Sequence, residues 1–356
     1  MRIYQHAGFL HRCCTSLLLL SGVLAALVVQ AQDKARPEAM PELKLSTAQS
    51  PAFPLGKAAA RWAELIKQMQ AATFAIKLYP GATLSGRDPA REFGALKDGP
   101  ADLAVGSALA WSAQFPSAGV YALPWLSPDA PQQEAVASSR ALFDLVAARA
   151  ERADVIVLAV AAAGDRVLAT TRNPVRMPAE AAGLKLRVTG VPLAIDTWAT
   201  LGALPQTLDF AAAQAALTAG TLEGQEALPT ALAAQRITAT GQRIVTRGGG
   251  LSDAMIFAVR KPVWDAWNDA QRQQVRAAAM QAAREAQAPA REDAALAELV
   301  KQGVTLVTLA PAQRALFRTA VQPVWDKWTT AIGPDVVAAA EAAVAAVVVA
   351  APRRGR

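Results

Sequence analysis

The alternation of strand-like and helix-like segments near the start of the chain constrains its fold most strongly. Three strand patterns alternate with two helix patterns, at 43–47, 55–70, 73–79, 90–97 and 102–105. The apolar residues of the first helix share one face at i, i+3, i+4 and i+7, namely Trp62, Leu65, Ile66 and Met69. This β-α-β-α-β order predicts an α/β fold with a mostly parallel sheet covered by helices.

The remaining chain continues the mixture and is long enough for two lobes of ordinary domain size. Further strands are predicted at 155–160, 184–188, 243–246, 254–259 and 304–309. Further helices are predicted at 132–150, 192–201, 210–219, 263–299 and from Pro311 onward. We interpret the apolar segment from Val336 to Ala351, which contains Glu341, as a terminal helix packed on a lobe. Membrane contact is the alternative for that segment.

The N-terminal segment has the composition of an export signal. Arg2 and Arg12 accompany an apolar stretch from Ser16 to Val29, and small residues precede Gln32. We predict cleavage after Ala31, which makes 1–31 a signal peptide and the mature protein periplasmic. A membrane anchor is the alternative, although the apolar stretch is short for a membrane span.

Cleavage at this point would remove every histidine and cysteine. These residues occur only at His6, His11, Cys13 and Cys14. The mature chain would then have no Ser-His-Asp triad, no Cys-His pair and none of the usual zinc sites, so we expect no metal or cofactor. The formal charge of +7 would fall by the two signal arginines to +5. The scattered basic residues argue against nucleic-acid binding and favour an anionic ligand.

Arg187 is the main candidate for contact with such a ligand. Strand alternation divides its segment into two faces, with Leu184, Leu186 and Val188 opposite Lys185 and Arg187. If the apolar face is core, the guanidinium of Arg187 faces open space, where its rigid fork of donors can pair with a carboxylate. Its place near the end of a parallel strand favours binding. A solvated or salt-bridged strand arginine is the alternative.

Five short motifs follow one another along the chain: Tyr79-Pro80-Gly81, Gly99 with Asp102, Leu123-Pro124-Trp125, Gly183 to Val188, and Gly224-Gln225-Glu226. Together they resemble the TRAP-transporter periplasmic solute-binding proteins of the dicarboxylate-binding (DctP) type, over nearly all of the mature chain. The resemblance implies a two-lobed periplasmic-binding-protein fold with hinge-linked lobes and long C-terminal helices. We expect lobe I at 42–162 plus 252–290, lobe II at 163–251 plus 291–345, and a basic C-terminal tail at 346–356.

The resemblance also implies particular ligand contacts. Arg187 would clamp the substrate carboxylate, and Arg166 would face the ligand as a second arginine. The alternative for Arg166 is a salt bridge, with Asp165 or Glu180 as the partner. Ala227 stands where the family usually has an asparagine, which implies a less polar ligand or one polar contact supplied from elsewhere, and favours a monocarboxylate over a dicarboxylate.

Four further residues are weaker candidates for the ligand site. Glu226 follows the Gly224-Gln225 pair, and a structural or surface acid is its alternative. Trp111 and Tyr121 would form apolar walls of the cleft, and Ser107 would donate a hydrogen bond to the ligand. Core packing or an ordinary surface position is the alternative for these three.

The chain is therefore predicted to be an extracytoplasmic receptor, not an enzyme, that captures a small organic acid. It would deliver the acid to integral membrane subunits of a TRAP transporter. A binding protein of another import or sensing system is one alternative. A periplasmic hydrolase or lyase is the other, with Glu223 and Glu226 as a carboxylate pair at i, i+3 if their segment is helical.

Overall fold

The computed structural model describes residues 40–70, 73–286 and 289–350. The predicted signal peptide and the last six residues of the predicted basic tail lie outside these ranges. The described residues form nine strands: β1 Glu42–Thr47, β2 Ala75–Tyr79, β3 Leu103–Ser107, β4 Val155–Thr170, β5 Lys185–Arg187, β6 Leu204–Gln206, β7 Gly224–Ala227, β8 Ile244–Arg260 and β9 Thr305–Thr308.

The strands are covered by helices of four to seventeen residues. The α-helices of the described ranges are α1 Pro54–Lys67, α2 Glu92–Asp98, α3 Ala108–Trp111, α4 Ala130–Ser138, α5 Arg140–Glu151, α6 Pro192–Thr200, α7 Phe210–Thr218, α8 Pro229–Gln235, α9 Lys261–Asp265, α10 Asp269–Glu285, α11 Pro289–Lys301, α12 Pro311–Ala320, α13 Gln322–Ile332 and α14 Pro334–Ala350. Short 3-10 turns at Pro89–Arg91 and Pro116–Ala122 connect some of them.

The first three strands form the parallel arrangement that the sequence predicts. β1 pairs in parallel with both β2 and β3, and helix α1 packs on this part of the sheet, while α10 packs on α1 and on strands β4 and β8. The predicted apolar stripe of α1 supplies the core, since Trp62 and Ile66 are fully buried. The Trp62 ring meets Phe257 edge to face with 5.6 Å between ring centroids, a favourable aromatic geometry.

Two long antiparallel strands, β4 and β8, form the middle of the sheet and were only partly predicted. The strand order is β2-β1-β3-β8-β4-β7-β5-β6, with β9 attached to β8. β4 continues past the predicted end at Val160, and β8 joins two segments that the sequence separates by a glycine run. Each strand gives the other a partner for its backbone hydrogen bonds, which overrides the local preference for a loop.

Two segments that were predicted as single helices are each divided into shorter helices. Residues 132–150 divide into α4 and α5 at Ser139, whose hydroxyl accepts a hydrogen bond from the backbone N–H of Leu142 at 3.3 Å. Residues 263–299 divide into α9, α10 and α11, and Asn268 with Gln271 forms a capping box at the start of α10. Capping side chains start a new helix by satisfying its first N–H groups.

The C-terminal helix α14 packs on the protein as predicted. Val336, Val337 and Ala340 are buried, and the helix lies against α4 and α5. No single helix in the described ranges is both long and apolar enough to cross a bilayer, whereas α13 and α14 together reach that length and composition across a 119° bend. The division into lobes at the predicted boundaries stays a prediction, and both β4 and β8 run across those boundaries.

Glu92 is a buried acid in α2, held between two donors. The Ser46 hydroxyl donates to one of its carboxylate oxygens at 2.8 Å, and Trp111 Nε1 donates to the other at 3.2 Å. Burial raises the pKa of Glu92 from an ordinary value of 4.5 to about 7, although both hydrogen bonds act in the opposite direction.

We expect Glu92→Gln to stabilise the protein at pH 8 by about 1–3 kcal/mol, since one pKa unit corresponds to about 1.4 kcal/mol. The folded protein binds this proton more tightly than the unfolded chain. The contribution of protonated Glu92 to the free energy of unfolding is therefore fully present below about pH 4.5, and it is lost as the pH rises through about 7. Urea denaturation of the unmodified protein and of the variant measures this change. The pH should run from roughly 4 to 8, which spans the pKa of Glu92 in the unfolded and in the folded state. A pH-independent difference between the two proteins would contradict the prediction.

Candidate functional site

A cleft of about 480 Å³ opens beside the ends of β5 and β7 and is the candidate ligand site. Residues of both predicted lobes line it. Lobe I contributes apolar groups that include Leu55 and Ala110, and lobe II contributes Val188 and Val191. A cleft of this size, mostly apolar with a few charged groups, is typical of small-molecule binding sites.

Four charged residues form a row across the cleft wall, which we call the charge row. Its members lie on four adjacent strands, in the order β8, β4, β7 and β5, and are Asp253, Arg166, Glu226 and Arg187. Their charges therefore alternate from one strand to the next. This order arises from sheet pairing, because β4 lies between β8 and β7 while β5 lies beyond β7.

Arg166 is an interior member of the charge row and is paired with both neighbouring acids. Its Nε donates to the Glu226 carboxylate, and its NH1 lies 4.0 Å from Asp253 Oδ2. Its NH2 also donates to the hydroxyl of Thr189 at 2.8 Å. Burial lowers the pKa of Arg166, but the charges of Glu226 and Asp253 outweigh that effect and raise it overall. The guanidinium is therefore fully compensated within the protein.

The predicted alternative partner Glu180 is wrong, because Glu180 is occupied elsewhere. Its carboxylate accepts hydrogen bonds from the backbone N–H groups of Arg176 and Met177 at 2.5 and 3.0 Å. Arg166 reaches Glu226 and Asp253 because β4 changes register on both sides of it, between Ala162 and Gly164 and after Arg166 itself. Such bulges turn side chains toward functional surfaces.

Arg187 occupies the end of the charge row, on strand β5. Its Nε donates to the backbone oxygen of Leu208 at 2.9 Å, and it forms no ion pair with any carboxylate in the described ranges. Leu186 and Val188 are buried on the opposite face, as the alternation predicts. Partial burial and then the charge of Arg166 lower the pKa of Arg187, and the charges of Glu226 and Asp209 only partly oppose this. An arginine remains cationic at neutral pH all the same.

Glu226 is buried with one carboxylate oxygen unsatisfied. Its side chain is 1% exposed, and Oε1 accepts from Arg166. Oε2 has no hydrogen-bond partner among the described residues. Burial raises the pKa of Glu226, and the adjacent charge of Arg166 opposes that rise. The oxygen is thus an unused acceptor on a residue of the cleft wall.

Ser107 and Asp253 form a linked pair at the other end of the charge row. The Ser107 hydroxyl donates to Asp253 Oδ2 at 2.6 Å and accepts from the N–H of Ala110 at 3.1 Å. Asp253 Oδ1 accepts from the N–H groups of Leu109 and Ala254. The predicted role of Ser107 as a donor to ligand conflicts with this arrangement, because its one hydrogen is already committed to Asp253.

The structure brings five of the seven predicted site residues to the cleft wall: Ser107, Arg166, Arg187, Glu226 and Ala227. Trp111 and Tyr121 lie in the core instead, at 0% and 3% exposure. Trp111 packs on Gly106 and bonds to Glu92, so its ring fills the interior of the lobe. Nothing local in the sequence separates a core aromatic residue from one on a cleft wall.

The carboxylate pair required by the enzyme alternative is not assembled. Residues 224–227 form strand β7, so the helical segment on which the pairing of Glu223 with Glu226 depended is not present. Glu223 accepts from the N–H of Lys185 at 3.1 Å and lines a different cavity from Glu226. Within the described residues, no group of three or more histidine, cysteine or acidic side chains is placed to hold a metal ion.

Asp253 is the member of the charge row that the sequence analysis missed. It follows a glycine run, which predicts a loop, and no distinctive motif surrounds it. Its role appears only when β8 pairs with β4, which places Asp253 opposite Gly164. The local sequence around this acid does not predict that β8 pairs with β4.

Comparison with known proteins gives one family match and several similar structures. The family model described as bacterial extracellular solute-binding protein, family 7, matches residues 45–331. A TRAP periplasmic solute-binding protein from Ralstonia eutropha, solved with bound (S)-2-hydroxy-2-methyl-3-oxobutanoate, is 38% identical with a TM-score of 0.80. That alignment covers 86% of this chain and 99% of the other chain. The α/β, two-lobed periplasmic-binding-protein fold is thereby confirmed.

Two curated relatives are also solute-binding proteins, and they match this chain over different lengths. The C4-dicarboxylate-binding periplasmic protein DctP of Rhodobacter capsulatus is 27% identical over 312 residues, which is 85% of this chain and 91% of that protein. A solute-binding protein of Roseobacter denitrificans is 34% identical over 111 residues, so this chain spans only 34% of its length.

Proposed function

The chain belongs to family 7 of the bacterial extracellular solute-binding proteins, and from that premise we propose that it captures a small organic acid for a TRAP-type secondary transporter. The observation that carries this proposal is the position of Arg187 in the cleft, where its terminal nitrogens form no ion pair with an acid of the described residues. A carboxylate is the ligand group that matches a guanidinium fork with two parallel hydrogen bonds.

Binding would follow from burial of this one ion pair. The acid enters the open cleft, and its carboxylate pairs with Arg187 near the end of β5. Closure of the lobes by a hinge motion, as in periplasmic binding proteins, then removes water from the pair. The lower local dielectric strengthens the attraction, provided that the geometry is good enough to offset desolvation.

The relatives support both the ligand class and the route. The Ralstonia protein was solved with a hydroxy-keto acid, and the Rhodobacter protein is named for dicarboxylates. The family is extracytoplasmic, which fits an export signal cleaved after Ala31. The closed form would present its surface to integral membrane TRAP subunits made as separate chains. We expect capture and release of the acid without turnover.

A thermal-shift screen of the exported protein against a library of carboxylic acids tests this proposal. A ligand at 100 times its Kd stabilises the folded state by about 2.7 kcal/mol, so a true ligand raises the melting temperature clearly. The carboxamide of each acid is the matched control, and it should give no shift because it lacks the charge. Equal shifts from acids and amides, or no shift from any acid, would refute the proposal.

A further inference from the structure

We propose that the cleft selects a monocarboxylate that also carries a hydroxyl group, and that it discriminates against dicarboxylates. In this arrangement Arg187 holds the carboxylate and Glu226 accepts the hydroxyl hydrogen. The inference rests on the proposed function and deepens it, because it names the class of acid that the receptor takes.

The first step is the charge balance of the charge row. Arg166 and Arg187 supply two positive charges, and Glu226 and Asp253 supply two negative charges. Both acids are already directed at Arg166, through a hydrogen bond from Nε and a 4.0 Å contact. Arg187 is thus the one cation of the row whose terminal donors remain unpaired within the described residues. It can neutralise one carboxylate.

A second carboxylate on the ligand would find acids instead of cations. Besides Glu226 and Asp253, the cleft is lined by Asp88 and Asp209 near its rim, and both are exposed. Asp88 accepts from the N–H of Ala90, and Asp209 caps α7 by accepting from the N–H of Ala212. Like charges brought together in a partly desolvated cleft repel each other, which is a common basis of specificity. A dianion is therefore disfavoured at this site.

The hydroxyl preference follows from the second oxygen of Glu226. Oε2 is a buried atom of a residue that lines the cleft, and it accepts no hydrogen bond within the described residues, while Oε1 is occupied by Arg166. A buried acceptor without a donor is unfavourable, and a ligand O–H would satisfy it with a charge-assisted bond. A ketone or ether oxygen cannot, because it is itself only an acceptor. Ala227, next in β7, adds only a methyl group to the wall.

The experiment uses three four-carbon acids that differ by one group each: butanoate, 2-hydroxybutanoate and malate. Isothermal titration of the exported protein should show 2-hydroxybutanoate binding at least about tenfold more tightly than butanoate, because sites built for a hydroxyl reject analogues without it. Malate replaces the terminal methyl of 2-hydroxybutanoate by a carboxylate. It should bind at least about tenfold more weakly than 2-hydroxybutanoate, because of like-charge repulsion.

Glu226→Gln tests whether the charge of Glu226 contributes to the discrimination against dicarboxylates. Removing its charge should narrow the gap between malate and 2-hydroxybutanoate by about tenfold, since one acid no longer repels the second carboxylate. Glu223→Gln is the matched control, because it removes the same charge three residues away, from a side chain that lines another cavity. It should leave all three affinity ratios unchanged. Should Glu226→Gln fail to fold, the ratios of the unmodified protein still decide the question.

Two results would overturn the inference. One is malate binding at least as tightly as 2-hydroxybutanoate, and the other is a hydroxyl gain below about threefold. If larger acids from the library bind instead, each is compared with its deoxy analogue and its dicarboxylate in the same way. Arg187-dependent binding that prefers dicarboxylates or deoxy acids contradicts this inference and leaves the proposed function standing. If no carboxylate binds, both fail.

Discussion

Replacing Arg187 with lysine is expected to weaken carboxylate binding by roughly thirtyfold to several thousandfold, equivalent to about 2–5 kcal/mol. Lysine keeps the positive charge but loses the planar fork, so it cannot make two parallel hydrogen bonds to one carboxylate. The Arg187 Nε also holds the backbone oxygen of Leu208, and lysine would release that contact. The loss should therefore appear mainly in the dissociation rate.

Isothermal titration with the tightest acid from the library measures this loss. Arg172→Lys is the matched control, because Arg172 is an exposed arginine of the same predicted lobe outside the cleft. We expect that variant to bind with the affinity of the unmodified protein. Undiminished affinity of Arg187→Lys would remove the carboxylate clamp from the mechanism.

Replacing Arg166 with methionine is expected to lower the free energy of unfolding by about 3–5 kcal/mol at neutral pH. The methionine fills similar space but leaves Glu226 and Asp253 as two buried acids without their shared cation. Breaking a buried ion pair from one side is strongly destabilising because an uncompensated charge remains. The effect thus acts on the folded protein even without ligand.

Urea denaturation of two variants separates charge from packing. Arg166→Met alone should show the full loss, whereas Arg166→Met combined with Glu226→Gln and Asp253→Asn should recover much of it, since no buried charge is then unpaired. The Asp253→Asn change keeps a side-chain oxygen for the N–H groups of Leu109 and Ala254. A loss below about 1 kcal/mol for the single variant would show that the pairing is not structurally important.

The sequence predicted those parts of the fold that depend on residues close to one another along the chain. Alternation in the segment around Arg187 placed Leu186 in the core and the guanidinium on the opposite face, as the structure has it. The apolar stripe of α1 identified its buried face in the same way. Periodicity reports which face a residue occupies because side-chain direction follows local backbone geometry. The ligand roles of Arg166, Arg187 and Glu226 stay predictions.

The tertiary structure decided how the charges of the cleft are paired. Strand alternation identified Arg187 and the family resemblance added Arg166, but only the structure shows that Arg166 is enclosed by two acids and that Arg187 lies at the end of the charge row. Asp253 joins them only through the pairing of β8 with β4, far along the chain. Electrostatic compensation depends on distance in space, and the order of strands in the sheet sets that distance. For this reason local pattern identified Arg187 and the family resemblance identified Arg166, whereas the fold alone determined which of the two is paired with acids.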